Sequence, residues 1–268
     1  YISKEDWPKL REQIVSKKQK SKTYKTTDTF GPLDPELTAY TPGETLELLK
    51  HPTVKKWRDE VSNFKIPEEY KTVVLVPCAA SKPWGPDACG GHYYPAYNKI
   101  RQEVEEGNLP GPVYFATVSE PLGIVPQELW DSFPAYDNPG LFTSDSQRTG
   151  MSTRQWKASE FGDRRMIRFD KEAKQAVIED LGNTVGNFIE NNQSDDRKFI
   201  SFIHAKGMKP STHSMMLDAA EKARGKTLIP KENRYGKTAD DAPRPHKDTT
   251  YEWLKANLFQ PERTTKEK

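Results

Sequence analysis

The chain has few cysteines and no long hydrophobic run, and both features limit the classes of protein to which it can belong. Its 268 residues include two cysteines, too few for a disulfide framework, so a reduced, cytoplasmic setting is expected. No stretch approaches the roughly 20 apolar residues of a membrane span, so no membrane partner is expected. Hydrophobic residues make up 34% of the chain and prolines number 21, which predicts a modest core surrounded by loops.

Motifs for metals and common cofactors are missing as well. The chain contains neither a CxxC nor an HxxxH pair, and its five histidines are scattered, so no metal site is predicted. It also lacks the glycine-rich signatures of ATP-binding and dinucleotide-binding loops. We therefore expect a protein that works without a cofactor.

Three nearly continuous apolar runs predict strands buried on both faces, as in a parallel sheet. They are Thr72–Val76, Val113–Val118 and Lys198–Ala205. Apolar residues at helical spacing predict helices between and after these strands, at 94–106, 172–191 and 214–222. The alternation predicts a three-layer α/β/α fold with a mainly parallel central sheet and right-handed crossovers.

Composition divides the chain into a core and two extensions. Residues 1–68 are predicted to form a basic arm and a helical N-terminal extension, with two short helices separated at His51-Pro52. The α/β core is expected at 69–223, with a long loop or lid, rich in proline, glycine and serine, at 131–165. Residues 224–268 are predicted to be a C-terminal extension that becomes helical near its end.

The most distinctive motifs follow the first two predicted strands. Pro77-Cys78 is followed, after three residues, by Lys82-Pro83-Trp84, and His92 comes further on. The second strand runs into Ser119-Glu-Pro-Leu-Gly-Ile-Val-Pro-Gln-Glu-Leu129, and Pro134-Ala-Tyr-Asp137 lies beyond it.

These motifs, over roughly residues 70–140, resemble the signature of the catalytic core domain of archaeosine synthase. That family adds an amine to the nitrile of 7-cyano-7-deazaguanine in tRNA, and the resemblance implies a fold similar to uracil-DNA glycosylases. The chain departs from the family between Trp84 and His92, where the family has a serine at shorter spacing and this sequence has seven other residues.

Parallel sheets bind ligands outside the carboxyl ends of their strands, so the residues that follow the strands are candidates for chemistry. The catalytic candidates are Cys78, Lys82, Glu120 and His204. Cys78 can act as a nucleophile if a neighbouring cation, Lys82 or a histidine, lowers its pKa. Glu120 can act as a general base for an incoming amine. The structural alternatives are a small buried cysteine and an ordinary turn glutamate.

A second group of residues is predicted to bind the substrate. Its members are Ser81, Trp84, His92, Ser119, Asp137 and Lys206. Ser81 and the amides around it can form an anion-binding nest, and Trp84 offers a stacking surface for a base. The alternatives are a core role for Trp84 and a turn-forming role for Asp137.

Basic residues in the arm and in the predicted lid are candidates for nucleic-acid binding, because lysine and arginine clusters contact phosphates. They are Lys17, Lys18, Lys20, Lys22, Arg148, Arg154, Arg164 and Arg165. A solvated charged surface is the alternative for each.

We therefore predict a transferase that attaches an amine or amino acid to a modified base in a polynucleotide. Two chemistries stay open: addition to a 7-cyano-7-deazaguanine nitrile, and displacement of diphosphate from an activated 5-hydroxymethyl pyrimidine. DNA hypermodification, as in some phages, is favoured over tRNA because we recognise no counterpart of the family's tRNA-binding domain; a phage protein would work in the host cytoplasm. The alternatives are a base-excising, glycosylase-like enzyme and a non-catalytic nucleic-acid-binding protein.

Overall fold

A four-stranded, mainly parallel sheet lies at the centre of the protein. The computed structural model describes residues 2–19, 33–78, 94–109, 111–130, 132–133, 136–138, 141, 153–161, 171–203, 211–234, 252 and 255–256. The strands are β1 (Thr72–Pro77), β2 (Val113–Ser119), β3 (Gly123–Pro126) and β4 (Lys198–Ser201), in the order β3-β2-β1-β4. The predicted mainly parallel α/β sheet is confirmed, although β4 ends four residues earlier than expected.

β1 is the central parallel strand and pairs with β2 on one side and β4 on the other. Thr72 lies opposite both Val113 and Lys198, so the three strands begin level with one another. The amide of Cys78 donates to the carbonyl oxygen of Val118 at 2.9 Å, which continues the β1–β2 pairing past the end of β1. The carboxyl ends of these strands therefore meet at one edge of the sheet.

β3 is an antiparallel edge strand that the sequence pattern did not predict. Ser119 lies opposite Gly123, and the intervening turn contains a cis peptide bond between Glu120 and Pro121. The pattern predicted only a turn here, because a four-residue strand is too short to show an alternation of its own. A 3₁₀ turn at Gln127–Leu129 follows this strand directly.

Seven α-helices lie within the described ranges. They are α1 (Trp7–Gln19), α2 (Pro42–Leu48), α3 (Pro52–Ser62), α4 (Tyr94–Glu105), α5 (Thr153–Ala158), α6 (Lys171–Asn192) and α7 (Thr212–Arg224), with further 3₁₀ turns at Pro35–Leu37 and Lys231–Asn233. The predicted break between α2 and α3 is confirmed. Thr41 and His51 cap the two helices, and each cap precedes a proline, whose fixed φ suits a first helical turn. Of the helices described, none is long and apolar enough to cross a membrane.

The two long connections of the sheet run in opposite directions. α4 leads from β1 to β2, and the chain then returns through α6 to β4 on the other side of β1. Because such crossovers are right-handed, α4 and α6 are expected on opposite faces of the sheet. α6 packs against α2, α3, α7 and β3, whereas α4 contacts β2.

α1 and the segment around α5 form a second, smaller core. It consists of Ile2, Leu10, Ile14, Val15, Tyr40 and Phe161, with Trp7 packed against it. The expectation of a loop throughout 131–165 is wrong at α5. The Phe161 side chain is buried by α1, about 150 residues earlier in the sequence, and spacing within the segment does not reveal such a partner. Movement of 131–165 as a lid stays a prediction.

A buried arginine helps to hold residues 229–234 against α7. Arg234 is 7% exposed, pairs with Glu221 of α7 and donates to the carbonyl oxygen of Ile229 at 3.0 Å. Ser201 of β4 forms a bridge with Arg234, so residues 229–234 lie beside the sheet.

Gly123 is predicted to be intolerant of any side chain. Its φ is +76°, and an added Cβ would lie 2.6 Å from Cγ2 of Thr184, whose hydroxyl is held by Arg58. Gly107 has the same φ with open space around it and is the matched control. We expect Gly107→Ala to lower the free energy of unfolding by about 1 kcal/mol and Gly123→Ala by a further 1–3 kcal/mol or so, measured by urea denaturation. Equal losses in the two variants would contradict a steric role for Gly123.

Candidate active site at the carboxyl edge of the sheet

A thiol and an imidazole meet where β1 ends. Cys78 follows β1 and is half-buried, and its Sγ lies 3.1 Å from Nε2 of His213. His213 is the second residue of α7. The start of this helix is fixed because Ser211 and Ser214 each accept a hydrogen bond from the other's amide, at 3.1 and 3.0 Å. At this distance a proton can pass between sulfur and nitrogen, the arrangement by which a histidine activates a cysteine.

A hydroxyl pair lies where β2 ends. Ser119 is fully buried, and its Oγ lies 3.1 Å from the Tyr136 hydroxyl and 3.2 Å from the carbonyl oxygen of Glu120. The Tyr136 ring packs edge-on against Phe133, with centroids 5.4 Å apart, and Phe133 packs in the same way on Trp57. This aromatic packing fixes the position of the Tyr136 hydroxyl.

The Tyr136 hydroxyl connects the two strand ends electrostatically. The pKa of Tyr136 is raised well above its ordinary value, mainly by burial and next by the neighbouring Cys78. Glu120 and Asp137 raise this pKa further, and the Ser119 hydrogen bond lowers it. The phenol is therefore neutral at physiological pH, and it lies within electrostatic reach of Cys78, Glu120 and Asp137.

Asp137 is held by backbone pairing to the segment before α2. Its carbonyl oxygen accepts from the amide of Ala39 at 2.9 Å, and its amide donates to Leu37 at 3.3 Å. The carboxyl group of Asp137 is buried beside Tyr40. The pKa of Tyr40 is raised, mainly by its burial and next by the charge of Asp137. Asp137 thus pairs as in a short strand rather than forming a turn, and its contact with substrate stays a prediction.

The structure brings four of the predicted site residues into one region: Cys78, Ser119, Glu120 and Asp137. Six others, Ser81, Lys82, Trp84, His92, His204 and Lys206, lie outside the described residues, and their roles stay predictions. Where side chains are described, no three His, Cys, Asp or Glu groups are arranged to hold a metal ion.

The nucleic-acid candidates are described only in part. Lys17 and Lys18 lie in α1, and Arg154 lies on α5 with an exposed side chain. Lys20, Lys22, Arg148, Arg164 and Arg165 lie outside the described part of the chain. The Lys17 ammonium reaches Oε1 of Gln155 at 3.5 Å, so the arm and the predicted lid are neighbours.

Sequence reasoning missed His213 and Tyr136 as site residues. A signal for His213 was present: a helix that follows a parallel strand begins at the carboxyl edge of the sheet, and Ser211-Thr-His-Ser214 reads as a helix start after the third predicted strand. Tyr136 was noted only within a motif. Its place beside Ser119 depends on the pairing of Asp137 with Leu37 and Ala39, which are about 100 residues away.

The fold and the site define an α/β domain with a cysteine–histidine pair at the carboxyl edge of parallel strands. The chain belongs to the family described as a domain of unknown function, DUF5591, whose model matches residues 54–217. All of the site residues in the described part of the chain, including His213, lie within this match.

A curated protein is similar to part of the chain. Archaeosine synthase subunit alpha of Thermoplasma acidophilum is 29% identical over 124 residues, which cover 44% of this chain and 22% of that protein. The chain thus matches about a fifth of the length of this relative. No solved structure is significantly similar to the chain, so the expected likeness to uracil-DNA glycosylases is not confirmed.

Removal of His213 should make Cys78 less reactive. An imidazole that accepts the thiol proton stabilises the thiolate, which is the species that alkylating reagents attack. In a Cys89→Ser background, so that Cys78 is the one reactive thiol, we expect His213→Gln to slow alkylation by iodoacetamide about tenfold at pH 7. The matched control is His51→Gln, which removes a histidine that caps α3. An unchanged alkylation rate in His213→Gln would contradict an activating role.

Proposed function

We propose that the protein is a nucleic-acid-modifying transferase that joins an amine to a modified base, with Cys78 as its nucleophile. The observation that carries the proposal is the 3.1 Å contact between Cys78 and His213 at the carboxyl edge of parallel strands. Support comes from the similarity of part of the chain to archaeosine synthase subunit alpha and from the motifs at Pro77-Cys78 and Ser119.

The first half of the proposed reaction uses the thiol and the imidazole. His213 takes the thiol proton of Cys78, and the thiolate attacks the carbon of a nitrile on the base. A carbon–sulfur bond forms, and one π-electron pair of the nitrile moves to its nitrogen. The imidazolium of His213 returns the proton to that nitrogen, which gives a neutral thioimidate.

The second half uses the amine and a carboxylate. The amine attacks the thioimidate carbon while Glu120 takes the amine proton as general base. Expulsion of the Cys78 thiolate then leaves an amidine, and the proton held by Glu120 returns to the thiolate, which restores the starting enzyme. The atoms balance, because nitrile plus amine equals amidine and no oxidant, reductant or metal is consumed.

The cysteine–histidine pair favours this chemistry over the displacement of diphosphate. Displacement requires positive groups that hold a leaving diphosphate, but it requires no thiol. A glycosylase would instead need a water-activating group in the loop after β1, where the sequence is Cys78-Ala-Ala-Ser81. In a non-catalytic binding protein, Cys78 would have no role in function.

A polynucleotide is the proposed partner because two basic segments lie side by side. Lys9 pairs with Glu160 at 2.9 Å and Lys17 reaches Gln155, which holds α1 against α5. Arg154 and Lys157 are exposed on α5. We propose that these segments form one surface that binds a phosphate backbone. Assays with DNA and with tRNA test our prediction that the polynucleotide is DNA.

Loss of either the thiol or the carboxylate should abolish base modification. We expect Cys78→Ala and Glu120→Gln each to lower the rate by about a hundredfold or more, while polynucleotide affinity is kept. The assay is mass spectrometry of nucleosides from DNA or tRNA that carries the nitrile base, incubated with candidate amines.

The matched controls are Cys89→Ser, which removes the other thiol, and Glu179→Gln, which removes an exposed carboxylate on α6. If Cys78→Ala stays active on a diphosphate-activated pyrimidine, the displacement chemistry replaces the nitrile chemistry. Full activity in both Cys78→Ala and Glu120→Gln would show that the reaction takes place at another site.

Polynucleotide binding should depend on salt through the basic surface. Each lysine or arginine that contacts a phosphate releases counterions, so Lys17→Gln and Arg154→Gln should each reduce the slope of log affinity against log salt by about 1. Lys231→Gln, on an exposed turn at the other end of the described chain, is the control with the same charge change. An affinity that does not change with salt would indicate a small-molecule substrate.

A further inference from the structure

The Tyr136 hydroxyl is a buried hydrogen-bond donor whose proton can point towards Ser119 or towards another acceptor. Ser119 carries a single hydroxyl proton, and Oγ has two acceptors within reach, the Glu120 carbonyl at 3.2 Å and the Tyr136 oxygen at 3.1 Å. When Ser119 donates to the carbonyl, Tyr136 can donate to Ser119. When Ser119 donates to Tyr136, the phenol proton is left to point at another acceptor.

The groups around this hydroxyl indicate which acceptor that is. The side chains with which it interacts electrostatically are Cys78 after β1 and the carboxyl groups of Glu120 and Asp137. The sheet brings Cys78 near this hydroxyl: its amide donates to Val118 at 2.9 Å, which places it beside Ser119, the residue whose Oγ lies 3.1 Å from the Tyr136 hydroxyl. His213 of α7 also reaches Cys78, with Nε2 at 3.1 Å from the sulfur. A thiolate at Cys78 would therefore lie close to both a cation and a neutral phenol.

We propose that Tyr136 is the hydrogen-bond donor that stabilises negative charge at Cys78, first on the thiolate and then on the substrate nitrogen that the attack makes negative. This inference deepens the proposed function and rests on it. Ser119 supplies the second hydrogen bond that turns the phenol proton towards the charge. No proton leaves Tyr136 in this role, so the balance of the amine-transfer reaction is unchanged.

Burial supports the role because a donor is useful only while it keeps its proton. The Tyr136 side chain is 4% exposed, and both burial and the surrounding acidic groups raise its pKa. The phenol consequently stays protonated over the whole pH range in which a cysteine–histidine pair works. Its ring is fixed by Phe133, so little ordering is needed when the charge forms.

Tyr136→Phe tests the inference without requiring a substrate. The phenylalanine keeps the ring packing and removes only the hydroxyl. In the Cys89→Ser background, the rate of alkylation of Cys78 by iodoacetamide is measured between pH 5 and 10 or so. We expect the midpoint of the profile, which reports the pKa of Cys78, to rise by about one unit. The rate below the midpoint should accordingly fall about tenfold.

Tyr114→Phe is the matched control. Tyr114 is also fully buried, its hydroxyl binds Glu128, and it lies near the start of β2, away from Cys78. Its loss should cost stability without moving the midpoint. A midpoint in Tyr136→Phe that is unchanged or lower, or one that moves equally in Tyr114→Phe, would overturn the inference.

The activity assay separates this inference from the proposed function. If wild-type protein modifies the base and Tyr136→Phe leaves the alkylation midpoint unchanged, the inference fails and the function stands. If the midpoint rises but no polynucleotide is modified, the donor role stands for Cys78 and the amine-transfer proposal fails. If the donor role and the amine-transfer proposal both hold, Tyr136→Phe should lower kcat about tenfold or more with little change in KM. The reason is that the missing interaction belongs to the transition state.

Discussion

The parallel pairing of β1 with both of its neighbours is the constraint on which the site depends. Because β1 lies between β2 and β4 in the same direction, the three chain segments that leave the sheet all leave at one edge. Cys78 and Ser119 therefore come close together, and the helix that follows β4 returns His213 to the same edge. An antiparallel partner on either side would have separated the thiol from one of these groups.

The N-terminal helix stabilises the segment against which the site is built. Arg11 of α1 donates to both the carbonyl and the hydroxyl of Thr38, at 3.1 and 2.7 Å, and to Glu44 at 3.2 Å. Thr38 pairs with Asp137, which is adjacent to Tyr136. The same helix carries the basic residues proposed to contact a polynucleotide. The surface proposed for a polynucleotide is thus linked to the segment beside Tyr136 through Arg11 and Thr38.

The close approach of α6 and α7 holds His213 in place. A Cβ on Gly182 would lie 2.8 Å from the backbone oxygen of Met216, so the two helices pack nearer than side chains would allow. Arg224, at the end of α7, is held by Glu190 of α6 at 2.6 Å. These contacts fix α7 at both its middle and its end, and the Ser211 cap fixes its beginning. The imidazole is consequently positioned by a rigid element rather than by a loop.

The sequence by itself determined the sheet strands β1 and β2, the helices α4, α6 and α7 to within two residues at each end, and the break before α3. It also determined that Cys78, Ser119 and Glu120 lie at the ends of strands. These features are local, because apolar spacing, caps and prolines act within a few residues. Tertiary structure decided the antiparallel β3, the packing of Phe161 on α1, and the meeting of Cys78 with His213 and of Ser119 with Tyr136. Each of these depends on which distant segments become neighbours, and that choice is made by burial of the whole core rather than by any short stretch of sequence.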